Sequence, residues 1–202
     1  MKKLHSPKTP RPQRLIIATT NAGKVVEIRS ALGELPGWSL EALPTGIPSI
    51  EETGETFLDN AILKAEHYSK LNDELTLADD SGLCVAALGG GPGVHSARYA
   101  ADPPARIERI LREMQSVPDS QRNAVFYCAL ALARAGKIIW TVQGDVSGVI
   151  ARNPSGTSGF GYDPVFILPE LNRTMADLGT EDKNRLSARG KALSELRKFL
   201  LS

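Results

Sequence analysis

Two adjacent carboxylates, Asp79 and Asp80, stand at the end of an apolar run and are followed directly by Ser81 and Gly82. Neighbours in an extended strand point to opposite faces, so both carboxylates can reach one site only if the strand has ended. Because Ser81 and Gly82 are common turn residues, we predict that the strand ends here. A polar turn without chemistry is the simpler alternative. Clustered carboxylates suit Mg²⁺, which uses one or two of them together with substrate phosphates and water.

Further charged residues lie nearby in the sequence. Glu52, in the acidic segment 51–55, is a candidate third metal ligand, and the alternative is that it stabilises the dipole of the helix that follows. On that helix, Asn60 and Lys64 are four residues apart and therefore share a face. We expect this face to lie away from an apolar stripe formed by Phe57, Ala61, Ala65 and Tyr68. Lys64 could face a polyphosphate there, although a solvated lysine is the commoner outcome.

The segment TTNAGK, residues 19–24, connects a predicted strand to a predicted helix. The first N–H groups of a helix are unpaired and carry the positive end of its dipole, so a phosphate can bind there and Lys24 would add a full charge. The P-loop spacing is absent, since Val25 follows the lysine. The alternative is an ordinary helix capped by Asn21 with a solvated Lys24.

Two other segments suggest recognition of a planar ligand. SGFGYDP, residues 158–164, surrounds Phe160 and Tyr162 with glycine and could lay a ring against a base, or it could be a hairpin turn with core aromatics. Lys183 and Arg189 flank the start of the last predicted helix, where cations are unfavourable against the dipole. Their placement is explained if an anion or a polar base binds there.

The pattern of the chain indicates an α/β fold that could position these residues. From Arg14 it reads strand, helix, strand, helix, strand, which is typical of a partly parallel sheet. The pattern continues with a helix that opens with two prolines and with a long antiparallel hairpin that turns at 135–136. A short strand and a final helix capped by Ser187 follow these elements. Ligands of open α/β sheets gather where strands end, so the loops after the first and third strands should frame one pocket.

Composition excludes several classes of protein. The 202 residues are 42% hydrophobic, enough for one domain, and 24 Lys and Arg nearly balance 23 Asp and Glu, which argues against a general nucleic-acid binder. No apolar run reaches the length of about 20 residues that crosses a bilayer, so no membrane partner is expected. Cys84 and Cys128 occur singly, as expected of buried thiols in a reducing cytoplasm. Residues 1–13 are basic and proline-rich without a signal-peptide core, and we predict a flexible tail.

Taken in series, six segments resemble the inosine triphosphate pyrophosphatase family. They span nearly everything from Arg14 onward, and they read ATTNAGK, EETGETFLDNAILKA, LADDSGL, GGGPGVHSARYA, SGFGYDPVF and EDKNRLSARGKAL. The resemblance implies a single domain over 14–202 with an elongated, two-lobed α/β fold, a long mixed central sheet flanked by helices, and a central cleft. It also implies a homodimer that hydrolyses ITP, dITP and XTP to the monophosphate and pyrophosphate with Mg²⁺.

The resemblance assigns roles by motif. Asp80 would be the proton acceptor and a metal ligand, with Glu52, Asp79 and Lys64 as supporting metal or phosphate residues. The triphosphate would contact the segment Thr19, Thr20, Asn21, Ala22, Gly23 and Lys24, together with Ser81. The base would be held by Phe160, Gly161, Tyr162 and Asp163, with Lys183 and Arg189 beside it.

One position departs from the family. Ala188 stands where the family usually has a histidine that helps recognise the base, so base selectivity is left open while hydrolysis is expected to persist. Two alternative functions remain. One is a Maf-like pyrophosphatase of pyrimidine or modified nucleotides, which fits the ADDSG and FGYDP segments less well. The other is a non-catalytic nucleotide sensor. Turnover of ITP, XTP and dTTP in parallel would separate them.

Overall fold

In the described residues, seven strands form one sheet in the order β2-β1-β3-β4-β5-β6-β7. The computed structural model describes residues 12–44 and 46–202. Residues 1–11 of the predicted tail lie outside these ranges, whereas Gln13 already belongs to the first strand. The strands are β1 (Gln13–Ile17), β2 (Trp38–Ala42), β3 (Leu75–Val85), β4 (Asn123–Arg134), β5 (Lys137–Ile150), β6 (Phe166–Leu168) and β7 (Arg173–Thr174).

The predicted mixed α/β sheet is confirmed. β1 runs parallel to β2 and β3, and the remaining neighbours pair antiparallel. The hairpin between β4 and β5 turns at Ala135 and Gly136, which both have positive φ, of 49° and 74°. The sheet therefore joins a parallel part, built by helical crossovers, to an antiparallel part built by the hairpin.

Five α-helices are described, and four of them begin at a side chain that caps the first turn. The helices are α1 (Ala22–Leu32), α2 (Phe57–Ser69), α3 (Pro103–Glu113), α4 (Thr180–Leu186) and α5 (Ala188–Leu201). The caps of α1, α2, α3 and α5 are Asn21, Thr56, Asp102 and Ser187. α1 ends at Leu32, because Gly33 leaves the helix with a φ of 57°. None of these helices is long and apolar enough to cross a membrane.

The sheet has an apolar core on each face. One core includes Ile28 of α1, Ile110 of α3 and Leu193 of α5. The other lies under α2, where Ala61 and Ala65 are fully buried. β3 contributes side chains to both cores, since Leu77 and Leu83 face the first core and Ala78 faces the second.

The prediction that the third strand ends at Asp80 is wrong. β3 continues to Val85 and pairs with β4 without a break from Thr76 opposite Ala133 to Val85 opposite Ala124. Gly82 is a site of close packing within this strand. A Cβ atom there would lie 2.7 Å from the Gly93 carbonyl oxygen and 2.8 Å from the Phe57 ring.

Candidate active site

A cavity of about 330 Å³ opens beside the place where β3 runs past the end of β1. β1 ends opposite Leu77, so the next residues of β3 lie level with the loop that leads into α1. This register brings the two predicted loops together, although the acidic pair belongs to a strand and not to a loop. Most of the predicted site residues line the cavity, namely Thr19, Thr20, Asn21, Lys24, Glu52, Lys64, Asp80, Ser81, Phe160, Gly161, Tyr162, Asp163, Lys183, Ala188 and Arg189.

Three predicted residues do not line the cavity. Ala22 is the first residue of α1 and is exposed. Gly23 lies against the aromatic loop, where a Cβ atom would come 2.9 Å from the Phe160 ring. Asp79 is buried behind the wall, with its side chain 1% exposed.

Asp80 points to the face of the sheet that α2 covers. Lys64 Nζ donates to Asp80 Oδ1 at 2.8 Å and to Glu52 Oε1 at 2.8 Å, so the lysine bridges the two carboxylates. Lys64 and Asn60 share a helix face as predicted, but the prediction that this face is not the packed one is wrong, since both residues are buried. Burial would lower the pKa of Lys64, but Asp80 and Glu52 outweigh it and raise that pKa.

One oxygen of Asp80 is left without a partner. Oδ2 is shielded from solvent and accepts no hydrogen bond from the described residues. Burial raises the pKa of the Asp80 carboxyl, and the charge of Lys64 only partly offsets this effect. A buried acceptor without a donor is costly, so Oδ2 is suited to a cation or to a water proton.

This arrangement fits a hard divalent cation. Asp80 and Glu52 offer carboxylate oxygens at the cavity, and Mg²⁺ commonly uses one or two carboxylates plus substrate phosphates and water. Among the described residues, no three His, Cys, Asp or Glu side chains converge as a ready-made metal cage. A metal here would therefore complete its coordination with substrate and water.

Asp79 has a different environment because strand alternation sends it to the face covered by α1 and α5. It forms ion pairs with Lys24 and with Arg189, whose Nε lies 2.9 Å from Asp79 Oδ2. Ser81 Oγ and the Cys128 thiol also donate to it, at 3.2 Å and 3.1 Å. Burial would raise the pKa of Asp79, but the charges of Arg189 and Lys24 hold it well below the usual range. These contacts occupy both oxygens, so Asp79 serves here as an anchor for two cations.

A second charged network lies at the other end of the cavity. Lys183 Nζ is 2.5 Å from Asp163 Oδ2 and 2.5 Å from Glu27 Oε1, and Glu27 also pairs with Arg189. Asp163 Oδ2 accepts the Phe160 N–H at 2.7 Å, which fixes the aromatic loop. Lys183 and Arg189 lie 5.3 Å and 5.5 Å from the centre of the Phe160 ring. The ring and the two cations thus form one recognition surface.

The two aromatic side chains of the loop differ in exposure. Phe160 is partly exposed at the cavity, whereas Tyr162 is 4% exposed and donates its hydroxyl to the Ser96 carbonyl oxygen at 2.9 Å. Burial raises the pKa of the Tyr162 phenol, so the group remains a donor. Phe160 is therefore free to contact a ligand, while Tyr162 ties the loop to the segment that follows β3.

Sequence reasoning missed Glu27, which joins Lys183 to Arg189. Its position carried a signal, because Glu27 lies three residues after Lys24 on α1 and so faces the same side of that helix. Cys84 and Cys128 were both expected to be buried, which is confirmed for Cys128 and wrong for Cys84, which is partly exposed. The bond from Cys128 to Asp79 was not foreseen. Neither contact follows from local sequence.

The fold and cavity define a class of α/β protein in which carboxylates, buried cations and a partly exposed aromatic ring line one cavity. A model of the Ham1 family matches residues 15–199, and the chain belongs to this family. The chain is 49% identical to a dITP/XTP pyrophosphatase of Geobacillus kaustophilus, over 91% of this chain and 92% of the relative. It is 47% identical to the enzyme of the same name from Bacillus subtilis, over 92% and 96% of the two chains. A HAM1 protein structure from Coxiella burnetii superposes with a TM-score of 0.83 at 40% identity, covering 93% and 98%. These matches confirm the family that the motifs predicted.

Proposed function

We propose that the protein hydrolyses the purine nucleoside triphosphates dITP, XTP and ITP to the monophosphate and pyrophosphate. Relatives at 49% and 47% identity carry the name dITP/XTP pyrophosphatase. The observation that carries the proposal is the unpartnered Oδ2 of Asp80, in a cavity that Lys24, Lys64 and Phe160 also line. A carboxylate, a set of cations and an aromatic ring are the groups that this reaction needs.

Asp80 has the central role in the proposed chemistry. Its Oδ2 accepts a proton from a water molecule whose oxygen attacks the α-phosphorus, as the bond from that phosphorus to the α,β-bridging oxygen breaks. Lys24 and Lys64 stabilise the negative charge on the departing pyrophosphate. Asp80 and Glu52 would hold Mg²⁺, which when bound neutralises phosphate charge and polarises phosphoryl oxygens.

The other end of the cavity would select the base. Phe160 offers a ring for stacking, and Lys183 and Arg189 offer donors beside it. Hypoxanthine and xanthine carry a 6-oxo acceptor where adenine carries an amino group, so a donor-lined site favours the oxo purines. An unpaired buried polar group costs about 1–3 kcal/mol, which suffices to disfavour adenine.

An assay of pyrophosphate release tests the activity. Purified protein with Mg²⁺ is expected to turn over dITP, ITP and XTP far faster than ATP, GTP or dTTP. Turnover of dTTP alone would support a Maf-like enzyme instead. Binding of nucleotides without any turnover would support a sensor.

The variant Asp80→Asn tests the role of the carboxylate. An amide keeps the shape but is neither a proton acceptor nor an anion, so we expect kcat to fall by at least about 100-fold. Asp73→Asn, at an exposed position before β3, is the matched control and should retain activity. Circular dichroism of both variants checks that the fold is unchanged, and normal turnover by Asp80→Asn would refute the assignment.

We also propose that the protein acts as a cytoplasmic homodimer with two lobes around the cavity. The family resemblance supports the dimer and the lobes, and the two unbonded thiols of Cys84 and Cys128 are compatible with a reducing compartment. Light scattering coupled to size-exclusion chromatography measures the mass directly. A monomer mass across micromolar concentrations would contradict the dimer.

A further inference from the structure

Arg106, on α3, is a cationic side chain at the cavity wall to which the proposed chemistry gives no role. It lines the cavity, its Nε atom is shielded from solvent, and that atom has no hydrogen-bond partner in the described residues. In the same described part of the chain, its guanidinium has no carboxylate within salt-bridge distance. The residue as a whole is partly exposed, but a buried Nε donor normally has an acceptor, so a ligand that supplies one is the natural partner.

The other cationic side chains at the cavity differ in this respect. Lys24 pairs with Asp79, Lys64 bridges Glu52 and Asp80, and both cations beside Phe160 pair with Glu27. Each of these four charges is already balanced by protein before any ligand arrives. Among the lysines and arginines that line the cavity, Arg106 is therefore the one without a carboxylate partner in the described residues.

Arg106 lines the same cavity as the loop that carries Phe160. Tyr162, Ser96 and Arg106 line the same cavity, and Tyr162 belongs to the loop that carries Phe160. Burial raises the pKa of the Tyr162 phenol, and the positive charge of Arg106 is the largest effect that opposes this rise. Ala188, which also lines the cavity, brings only a methyl group to it.

The chemistry of arginine decides which base it favours. A guanidinium has five N–H donors and no acceptor, so it pairs with oxo groups and anions and is repelled by amino donors. Hypoxanthine has one oxo group, whereas xanthine has two and loses a ring proton near neutral pH. Guanine presents an amino donor where xanthine has its second oxo group.

We propose that Arg106 donates hydrogen bonds to the second oxo group of xanthine, which hypoxanthine lacks, and is a specificity-determining residue that favours XTP over ITP. The inference rests on the proposed function and adds a residue that distinguishes two of its substrates. It assigns to α3 a part of base recognition that the histidine-free start of α5 does not supply.

The test compares kcat/KM for XTP, ITP and GTP in the wild type and in Arg106→Gln. We expect the ratio of XTP to ITP to fall about tenfold in the variant, mainly through a higher KM for XTP, with ITP turnover changed less than about threefold. Arg112→Gln is the matched control, since that side chain on the same helix is 64% exposed, and its ratio should match the wild type. In the wild type, the preference for XTP should also decline as the pH falls and the xanthine ring becomes protonated.

The outcomes separate this inference from the proposed function. If the wild type turns over neither XTP nor ITP, the proposed function fails and the inference fails with it. If both are turned over and Arg106→Gln leaves their ratio unchanged, the function stands and the inference is overturned. Arg106→Lys keeps the charge and controls for a folding defect. If its melting temperature equals that of the wild type, it should retain part of the preference for XTP. Loss of the XTP preference in Arg106→Gln but not in Arg106→Lys would support the inference.

Discussion

Asp79 and Asp80 are neighbours in the chain, yet their carboxylates lie in different environments on the two faces of the sheet. Strand alternation sends Asp80 toward α2, where one oxygen stays free, and sends Asp79 toward α1 and α5, where two cations saturate it. Lys24 and Arg189 are fixed by one buried charge. Asp79 therefore positions Lys24 and Arg189, which both line the cavity, although its own side chain does not.

The thiol of Cys128 is the weakest and most testable of the contacts to Asp79. Burial raises the pKa of Cys128, so the thiol stays protonated and donates to the oxygen that also binds Arg189 Nε. Cys128→Ala removes this donor, and we expect a loss of stability of about 1–2 kcal/mol with a several-fold higher KM. Denaturant unfolding and steady-state kinetics measure the two effects.

Two further variants serve as controls for Cys128→Ala. Cys128→Ser keeps a donor and should stay closer to the wild type in both measurements. Cys84→Ala truncates a half-buried thiol that has no hydrogen bond to the described residues, so its KM should not change. Equal KM values for all three variants would show that the bond to Asp79 does not help position Arg189.

At the scale of elements, much of the fold could be predicted from local pattern. The alternation of strands and helices, the hairpin at 135–136 and the cap of α5 at Ser187 each depend on residues close in sequence. The continuation of β3 through Asp80 could not be predicted, because Asp, Ser and Gly indicate a turn locally. Pairing with β4, more than forty residues later, overrides that local preference.

The same limit explains what was missed in the site. Lys24, Lys64 and Lys183 were identified because each stands in a recognisable segment of the chain. Glu27 and Arg106 stand in plain amphipathic helices, where a charged residue is usually solvated. Only the packing of α1 and α3 against the rest of the fold shows that both reach the cavity.

A substitution at Gly82 measures how tightly β3 packs against the 3₁₀ helix Gly93–Arg98. A methyl group at this position would collide with the Gly93 carbonyl oxygen and the Phe57 ring. We expect Gly82→Ala to reduce the free energy of unfolding by about 1–3 kcal/mol and to lower kcat, because Asp80 lies two residues away. Denaturant titration and the pyrophosphate assay measure both.

Gly179→Ala is the control for this substitution. No atom lies within 4 Å of a Cβ at Gly179, which has a φ of −70° at the start of α4. The poorer cap and the stiffer unfolded chain oppose each other, so the net change should stay within about 0.5 kcal/mol. A Gly82→Ala protein as stable as this control would mean that the strand and the 3₁₀ helix are loosely packed.

At the scale of the whole molecule, a chain with a net charge of only +1 concentrates charge inside its cavity. The buried pairs link α1, α2, α5 and β3, so the site also joins elements from both faces of the sheet. Such pairs add little net stability when intact, but breaking one leaves an unbalanced buried charge. Removing one partner therefore tests how strongly the site and the fold are coupled.

The pH dependence of stability gives that test. The pKa of Asp79 is lower in the folded protein than in the unfolded chain, where it is about 3.9. The contribution of Asp79 to the free energy of unfolding is therefore fully present at pH values above the pKa of the unfolded chain. It is lost as the pH falls below that pKa, because the unfolded state takes up the proton first. In Asp79→Asn this contribution is absent, and Lys24 and Arg189 lose their shared counter-charge. We expect the variant to be about 3–5 kcal/mol less stable at pH 7 and to lose less stability than the wild type between about pH 5 and pH 3.

Urea unfolding of metal-free protein in EDTA is repeated across this pH range. It measures the difference in the free energy of unfolding between variant and wild type at pH 7, and the slope of that free energy against pH. Asp73→Asn, which removes an exposed carboxylate, should follow the wild-type curve. The important comparison is the slope, because many substitutions lower stability at pH 7 but few flatten its acid dependence. Parallel curves for Asp79→Asn and the wild type would mean that Asp79 titrates as an ordinary carboxyl. It would then not be the charge that holds Lys24 and Arg189 in place at the cavity.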